Sequence, residues 1–461
     1  MLTILGNTQK YSPTLKRRDF LKIGSATGML SLAESLRCQE TAKAANISRA
    51  VSGKSVIMVY LAGGPAQLDT YDMKPNAPAE IRGEFKPIST NVPGIEICEL
   101  FPKQAAMMDK FTLVRSLSAS APNGHSDSEV MTGRTEIKNA NFQYPSIGSI
   151  VSKLSEGQNQ DLPGYVALRK MTFPTKTPSP IWQYYLNSAS LGQAHAPFLP
   201  TGEAMDDFDF APEMDAPHFR DRMDLLSRFD LMRRNLDASG NMAALDSFQG
   251  KAIDILTSRR LRNALDLTRE DPRVVARYSI EGGPANALFA AGYKQGTQLL
   301  LARRLIEAGV RFVEVALGYW DTHGPANVLG FPHLRNRLCP VLDQALMALI
   351  DDLNQRGMDK EVVVVVWGEF GRSPKINISA GRDHWLPVLP ALITGGGLKT
   401  GQLIGATDDH AGSVIDKPYT VSNMLSTIYH AIGIDPGTTF ISANGRPIPI
   451  LDDRDPIREL L

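Results

Sequence analysis

Three short apolar runs recur along the chain, and each stops at a glycine that precedes polar residues able to do chemistry. They are Ser55 to Leu61 (SVIMVYL), Val310 to Ala316 (VRFVEVA), and Val362 to Trp367, five valines and a tryptophan. Runs this short, rich in β-branched residues and lacking strict alternation, predict strands covered on both faces in the middle of a parallel sheet. Other stretches have a longer period: MDLLSRFDLMRRNLDAS and GYKQGTQLLLARRLIEAG set apolar residues three and four apart with charges between them. Those are amphipathic helices that cover a sheet or form a cap. Pro75 to Pro93 is a proline-rich polar connection, and Leu100 to Arg115 returns to helix and then strand character. Together these elements predict an α/β fold, a three-layer α/β/α sandwich with a mostly parallel central sheet and a helical insertion over about residues 207–307.

In open α/β sheets, ligands meet the loops past the carboxyl ends of the strands. After the first run, Gly63 and Gly64 precede Asp69; after the second, Gly318 precedes Asp321 and His323; after the third, Gly368 precedes Glu369, Arg372, Asp383 and His384. Any one of these residues alone is more often a helix cap or a paired loop residue. The pattern occurs three times, and that repetition points to a metal site. Asp321 and His323 are two apart, so an extended backbone presents both on one side. Mixed oxygen and imidazole donors suit a divalent metal, with zinc or manganese favoured and calcium admitted. Carboxylates outnumber imidazoles, so the reading is one or two ions; a pair about 3.5–4 Å apart would share carboxylates. A second polar stretch, Ser116 to Arg134, holds His125 beside Ser126 and ends in Thr132-Gly133-Arg134. A hydroxyl at such a helix start can be activated as a nucleophile, or the stretch can be a solvated serine-rich loop.

The 461 residues are 43% hydrophobic, enough for a large core, and the formal net charge is zero, which gives no basic field for nucleic acid. There is no apolar stretch of 18 residues, so no transmembrane helix is expected, and neither GxGxxG nor GxxxxGK[ST] occurs. Near the start, Lys16-Arg17-Arg18-Asp19-Phe20-Leu21-Lys22 precedes a run of small apolar residues and the small-x-small triplet Ala42-Lys43-Ala44. This predicts a twin-arginine export leader over residues 1–45 and a periplasmic or extracellular location for residues 46–461. Residues 1–44 carry seven Lys/Arg and three Asp/Glu, so the remainder has 42 basic against 46 acidic residues. Past the leader only Cys98 and Cys339 remain, either as one disulfide or as two buried thiols.

The order of strand-Asp, Thr-Gly-Arg, strand-Asp-x-His, strand-Gly-Glu and Asp-His-Trp resembles the alkaline phosphatase and sulfatase superfamily. More narrowly, GGPAQLDTYDMKP, WDTHG, WGEFGRSP, GRDHW and TIYHAIGID with GRPI resemble an exported bacterial family of unknown function within it. The resemblance implies an alkaline-phosphatase-like fold and hydrolysis of a phosphate or sulfate ester, on a small molecule or a polysaccharide. It implies that Asp69, Asp321, His323, Glu369 and His384 hold metal, that Asp383 flanks the site, and that Arg372 faces substrate oxyanions. It further implies Ser126 or a neighbouring hydroxyl, beside His125, as nucleophile, and a cytochrome-c-like surface protein as partner. Two departures stand out. Glu369-Phe370 replaces the usual Asp-His, and counting nine positions back from Thr132 reaches Asn123 instead of a nucleophile. A second reading therefore runs beside the first, a catalytically inactive surface protein that binds metal, glycan or a partner protein.

Overall fold

In the computed structural model, residues 52–120, 127–135, 144–159, 161–169, 187–200, 254–255, 258–280, 295–324, 330–442 and 445–461 are described. The central sheet contains β1 (Ser55–Tyr60), β2 (Thr112–Ser118), β3 (Tyr165–Leu168), β4 (Phe312–Ala316), β5 (Val362–Trp367), β6 (Leu389–Gly395), β7 (Gln402–Ile404) and β8 (Tyr419–Thr420). Their order is β7-β2-β6-β5-β1-β4-β3, with β8 beside β2. Only β6 runs antiparallel to its neighbours, so the sheet is mixed but mostly parallel. The three apolar runs are its adjacent central strands: Tyr60 pairs with Ala316 on one side and with Trp367 on the other. That register makes all three strands end at the same level. The loops carrying Asp69, Asp321 and Glu369 therefore leave the sheet together.

Alternation along each strand feeds two separate cores. Ile57, Val59, Val313, Val364 and Val366 pack on one face, under α2 (Thr297–Ala308) and α3 (Cys339–Gln355). Val56, Met58, Tyr60, Val363, Val365 and Trp367 pack on the other, under α1 (Ile147–Leu154) and α4 (Val421–Ala431). The fold is thus a three-layer α/β/α sandwich. All six residues of β1 and of β5 are buried, which is why both strands read as unbroken apolar runs.

The start of α4 is set by a capping box, in which Thr420 Oγ1 accepts from the Asn423 amide at 3.3 Å and Asn423 Oδ1 accepts from the Thr420 amide at 2.8 Å. Thr420→Ala removes one of these bonds, for a loss of about 1 kcal/mol. Calorimetry should show the melting temperature down by about 2 °C.

Cys98 and Cys339 are unpaired and buried, and burial pushes the Cys98 thiol up to about 12. The leader, most of the helical insertion, and Asn123, His125 and Ser126 lie outside the described residues. Among the described residues no helix is long and apolar enough to cross a membrane.

Candidate metal centre

Past β4 the chain turns back over the end of β1, where the Trp320 amide donates to Ala62 O at 2.6 Å. Two glycines permit this approach. Gly63 has φ +101°, and a Cβ there would lie 2.4 Å from the Asp321 nitrogen. A Cβ on Gly381 would lie 2.3 Å from Thr322 O. Gly381 belongs to the loop of a hairpin in which Gly371–Arg372 pairs with His384–Trp385. The hairpin is tied to the loop after β4 by the Arg382 amide, which donates to Thr322 O at 3.1 Å.

These contacts bring Asp321, His323 and His384 together, with one donor atom from each within 4.8 Å of the others. Asp321 Oδ2 lies 2.9 Å from His323 Nε2, and Asp321 Oδ1 lies 3.2 Å from His384 Nε2. The carboxylate is buried and held from behind, by Arg372 Nη2 donating to Oδ1 at 2.7 Å and Tyr319 Oη donating to Oδ2 at 3.1 Å. Burial, and then the Asp321 charge, push the Tyr319 phenol up, so it keeps its proton and remains a donor. The imidazoles are reachable from solvent, His323 with 43% and His384 with 27% of its side chain exposed. The Phe370 ring packs on His384 at 4.5 Å between centroids. Two imidazole nitrogens and one carboxylate, with a solvent-facing side left open, suit a catalytic divalent ion. Hydrogen bonds to the ligating carboxylate orient it as an outer shell does.

The other expected ligands are not members of this three-residue group, and each has protein partners of its own. Asp69 is buried and chelated by Arg382, with Nε on Oδ2 at 2.8 Å and Nη2 on Oδ1 at 3.0 Å. Glu369 accepts from the Gly63 amide at 2.8 and 3.0 Å and from Tyr60 Oη at 2.8 Å. Asp383 is exposed and accepts from Asn377 Nδ2 at 2.9 Å. Arg372 differs most from its expected role facing oxyanions: its side chain is 0% exposed. Its donors go to Asp321 and to the carbonyls of Gly63, Gly64, Trp320 and Arg382. Buried there, it orients Asp321 and the glycine turn.

A polar network that the motifs did not reveal lies under the same strand ends. Glu314, on β4, is fully buried and accepts from Tyr165 Oη at 2.7 Å and from Arg169 Nε at 3.0 Å. Arg169 Nη2 also lies 3.6 Å from Asp127, which is 2% exposed and whose carboxylate oxygens receive no hydrogen bond among the described residues. Burial raises Asp127 to about 8; Arg169 opposes the shift, and Glu314 and Glu369 add to it. Burial and Glu369 likewise push the Tyr60 phenol well up. The signal in the sequence was Glu314 itself, an acid inside an apolar strand, which demands a buried partner.

No curated protein matches this sequence. Similar solved structures include a protein in the alkaline phosphatase superfamily from Vibrio parahaemolyticus, 10% identical, covering 88% of this chain and 76% of that one with a TM-score of 0.38. A second is the PsFucS1 sulfatase from Pseudoalteromonas sp., 11% identical, covering 92% and 76%, TM-score 0.36. A third is the phosphonate monoester hydrolase SpPMH from Silicibacter pomeroyi, 12% identical, covering 83% and 74%, TM-score 0.35. The family described as protein of unknown function (DUF1501) matches residues 53–461, and the chain belongs to that family.

Proposed function

We propose that this protein is an exported, metal-dependent hydrolase of phosphate or sulfate esters, with Asp321, His323 and His384 as the metal ligands. The observation that carries the reading is the convergence of two solvent-facing imidazoles on one buried, doubly supported carboxylate at the carboxyl ends of the central strands. Zinc or manganese matches that donor set better than calcium, which takes oxygen ligands. A divalent ion held there supplies Lewis acidity toward an ester oxygen. The chain's own residues hold and orient: Arg372 and Tyr319 fix the two oxygens of Asp321, and Phe370 backs the His384 ring. The motif order of the alkaline phosphatase and sulfatase superfamily supports the ester class, and a polysaccharide sulfate or phosphate is one substrate form it allows.

The second reading is a metal- or glycan-binding surface protein without turnover. Two observations favour it: Phe370 stands where the superfamily's ligand pattern has a histidine, and the Arg372 guanidinium is buried in protein contacts instead of facing a substrate. A screen of p-nitrophenyl phosphate, p-nitrophenyl sulfate and bis-p-nitrophenyl phosphate separates the two. The hydrolase reading expects turnover that a chelator abolishes and added zinc or manganese restores. Bound metal with no turnover on any ester class would leave the binding protein.

A further inference from the structure

We infer that the centre takes one ion per chain, and that the Arg382 guanidinium fills the place beside Asp69 where a second ion would need to sit; this rests on the metal-centre reading above. Both Asp69 oxygens are already used, by Nε and Nη2 of Arg382. The other Arg382 donors meet the carbonyls of Ile81 at 2.7 Å, Ser373 at 3.4 Å, and Pro374. The guanidinium thus lies in a shell of carboxylate and carbonyl oxygens, the kind of shell a hard cation takes, and it is 1% exposed. Glu369 is no better placed to recruit an ion, because the Gly63 amide and the Tyr60 hydroxyl point at its oxygens. The next residue, Phe370, is buried and offers a ring where a ligand nitrogen would be needed. A divalent ion brought to Asp69 would have to displace a buried cation from a bidentate pair.

The arrangement gives Asp69 a different task, that of a positioning residue. Arg382 lies two residues before His384, and its amide donates to Thr322, next to His323. Fixing the Arg382 side chain against Asp69 therefore fixes the two segments that carry the imidazoles relative to each other. The Asp69–Arg382 pair acts on the ion through His384, as outer-shell partners do.

The test is metal stoichiometry and affinity, by equilibrium dialysis with elemental analysis and by titration calorimetry, with zinc and separately with manganese on the purified full-length mature protein. One ion per chain is expected at saturation. Asp69→Asn should still bind one ion, with affinity lowered about 10- to 100-fold. Arg382→Lys should retain more affinity than Arg382→Met, a rescue by charge that a purely structural role would not give. Should Asp69→Asn fail to fold, the wild-type stoichiometry and the Arg382 pair carry the test. Two ions per chain, one of them lost in Asp69→Asn, would overturn the single-ion assignment while leaving the hydrolase reading intact. One ion held with unchanged affinity in Asp69→Asn would overturn the positioning role. No bound ion at all would overturn the metal centre and this inference with it.

Discussion

Replacing His384 by alanine is expected to weaken binding of zinc or manganese by more than about 100-fold while leaving the fold in place. The loss should exceed the roughly 10- to 100-fold that removal of an outer-shell partner costs, because His384 is one of three candidate ligands in the cluster. Stability should change little. The His384 side chain is 27% exposed, and its contacts include the Asp321 carboxylate, the His323 edge and the Phe370 ring. A melting temperature within a few degrees of wild type, read by circular dichroism, would show that the loss of metal is local. His323→Ala, removing the more exposed imidazole, should behave alike, because both rings bond the same carboxylate. If both variants bound the ion as tightly as wild type, the ion would be held elsewhere and Asp321 would be a structural acid.

The sequence made the sheet legible because the central strands are buried on both faces, which leaves continuous apolar runs and no competing helical period. The end-of-strand placement of Asp321 and His323 was legible too, since two residues with one between them share a side. Less legible were the protein partners that the neighbouring acids take. Asp383 adjoins His384 in sequence, but adjacent residues of an extended segment point opposite ways. With His384 turned toward Asp321, Asp383 faces Asn377. Asp69 and Glu369 do sit past their strands, yet a sequence shows no partner 313 residues away, as Arg382 is from Asp69, or 306 away, as Gly63 is from Glu369. Arg372 was visible as a charge, while its burial depended on carbonyls from two loops closing over it. The Asp127 network escaped because Asp127, Arg169 and Glu314 come from segments far apart in the sequence.

That network yields the prediction with the largest expected effect on stability. The buried acids Glu314 and Glu369 both lie within electrostatic range of buried Asp127, and Arg169 is the guanidinium that faces Asp127 and Glu314. The Asp127 carboxyl is raised from 3.8 to about 8, first by burial and then by Glu314 and Glu369 against the pull of Arg169. Below pH 4 both the folded and the unfolded chain hold the Asp127 proton, and the group contributes no difference. Between pH 4 and 8 the folded chain keeps a proton that the unfolded chain has lost, so stability falls as pH rises. Above pH 8 the full penalty is present, on the order of 6 kcal/mol at about 1.4 kcal/mol per tenfold change in proton affinity. Asp127→Asn keeps the shape and cannot ionise. It carries a fixed cost of about 1–3 kcal/mol if its new amide finds no acceptor, and that cost is independent of pH. The measurable quantity is therefore the slope: the melting temperature of Asp127→Asn relative to wild type should climb steadily from pH 4 to pH 8 and then level off. A flat difference across that range would mean that Asp127 is already ionised in the folded protein, with the Arg169 guanidinium meeting its charge.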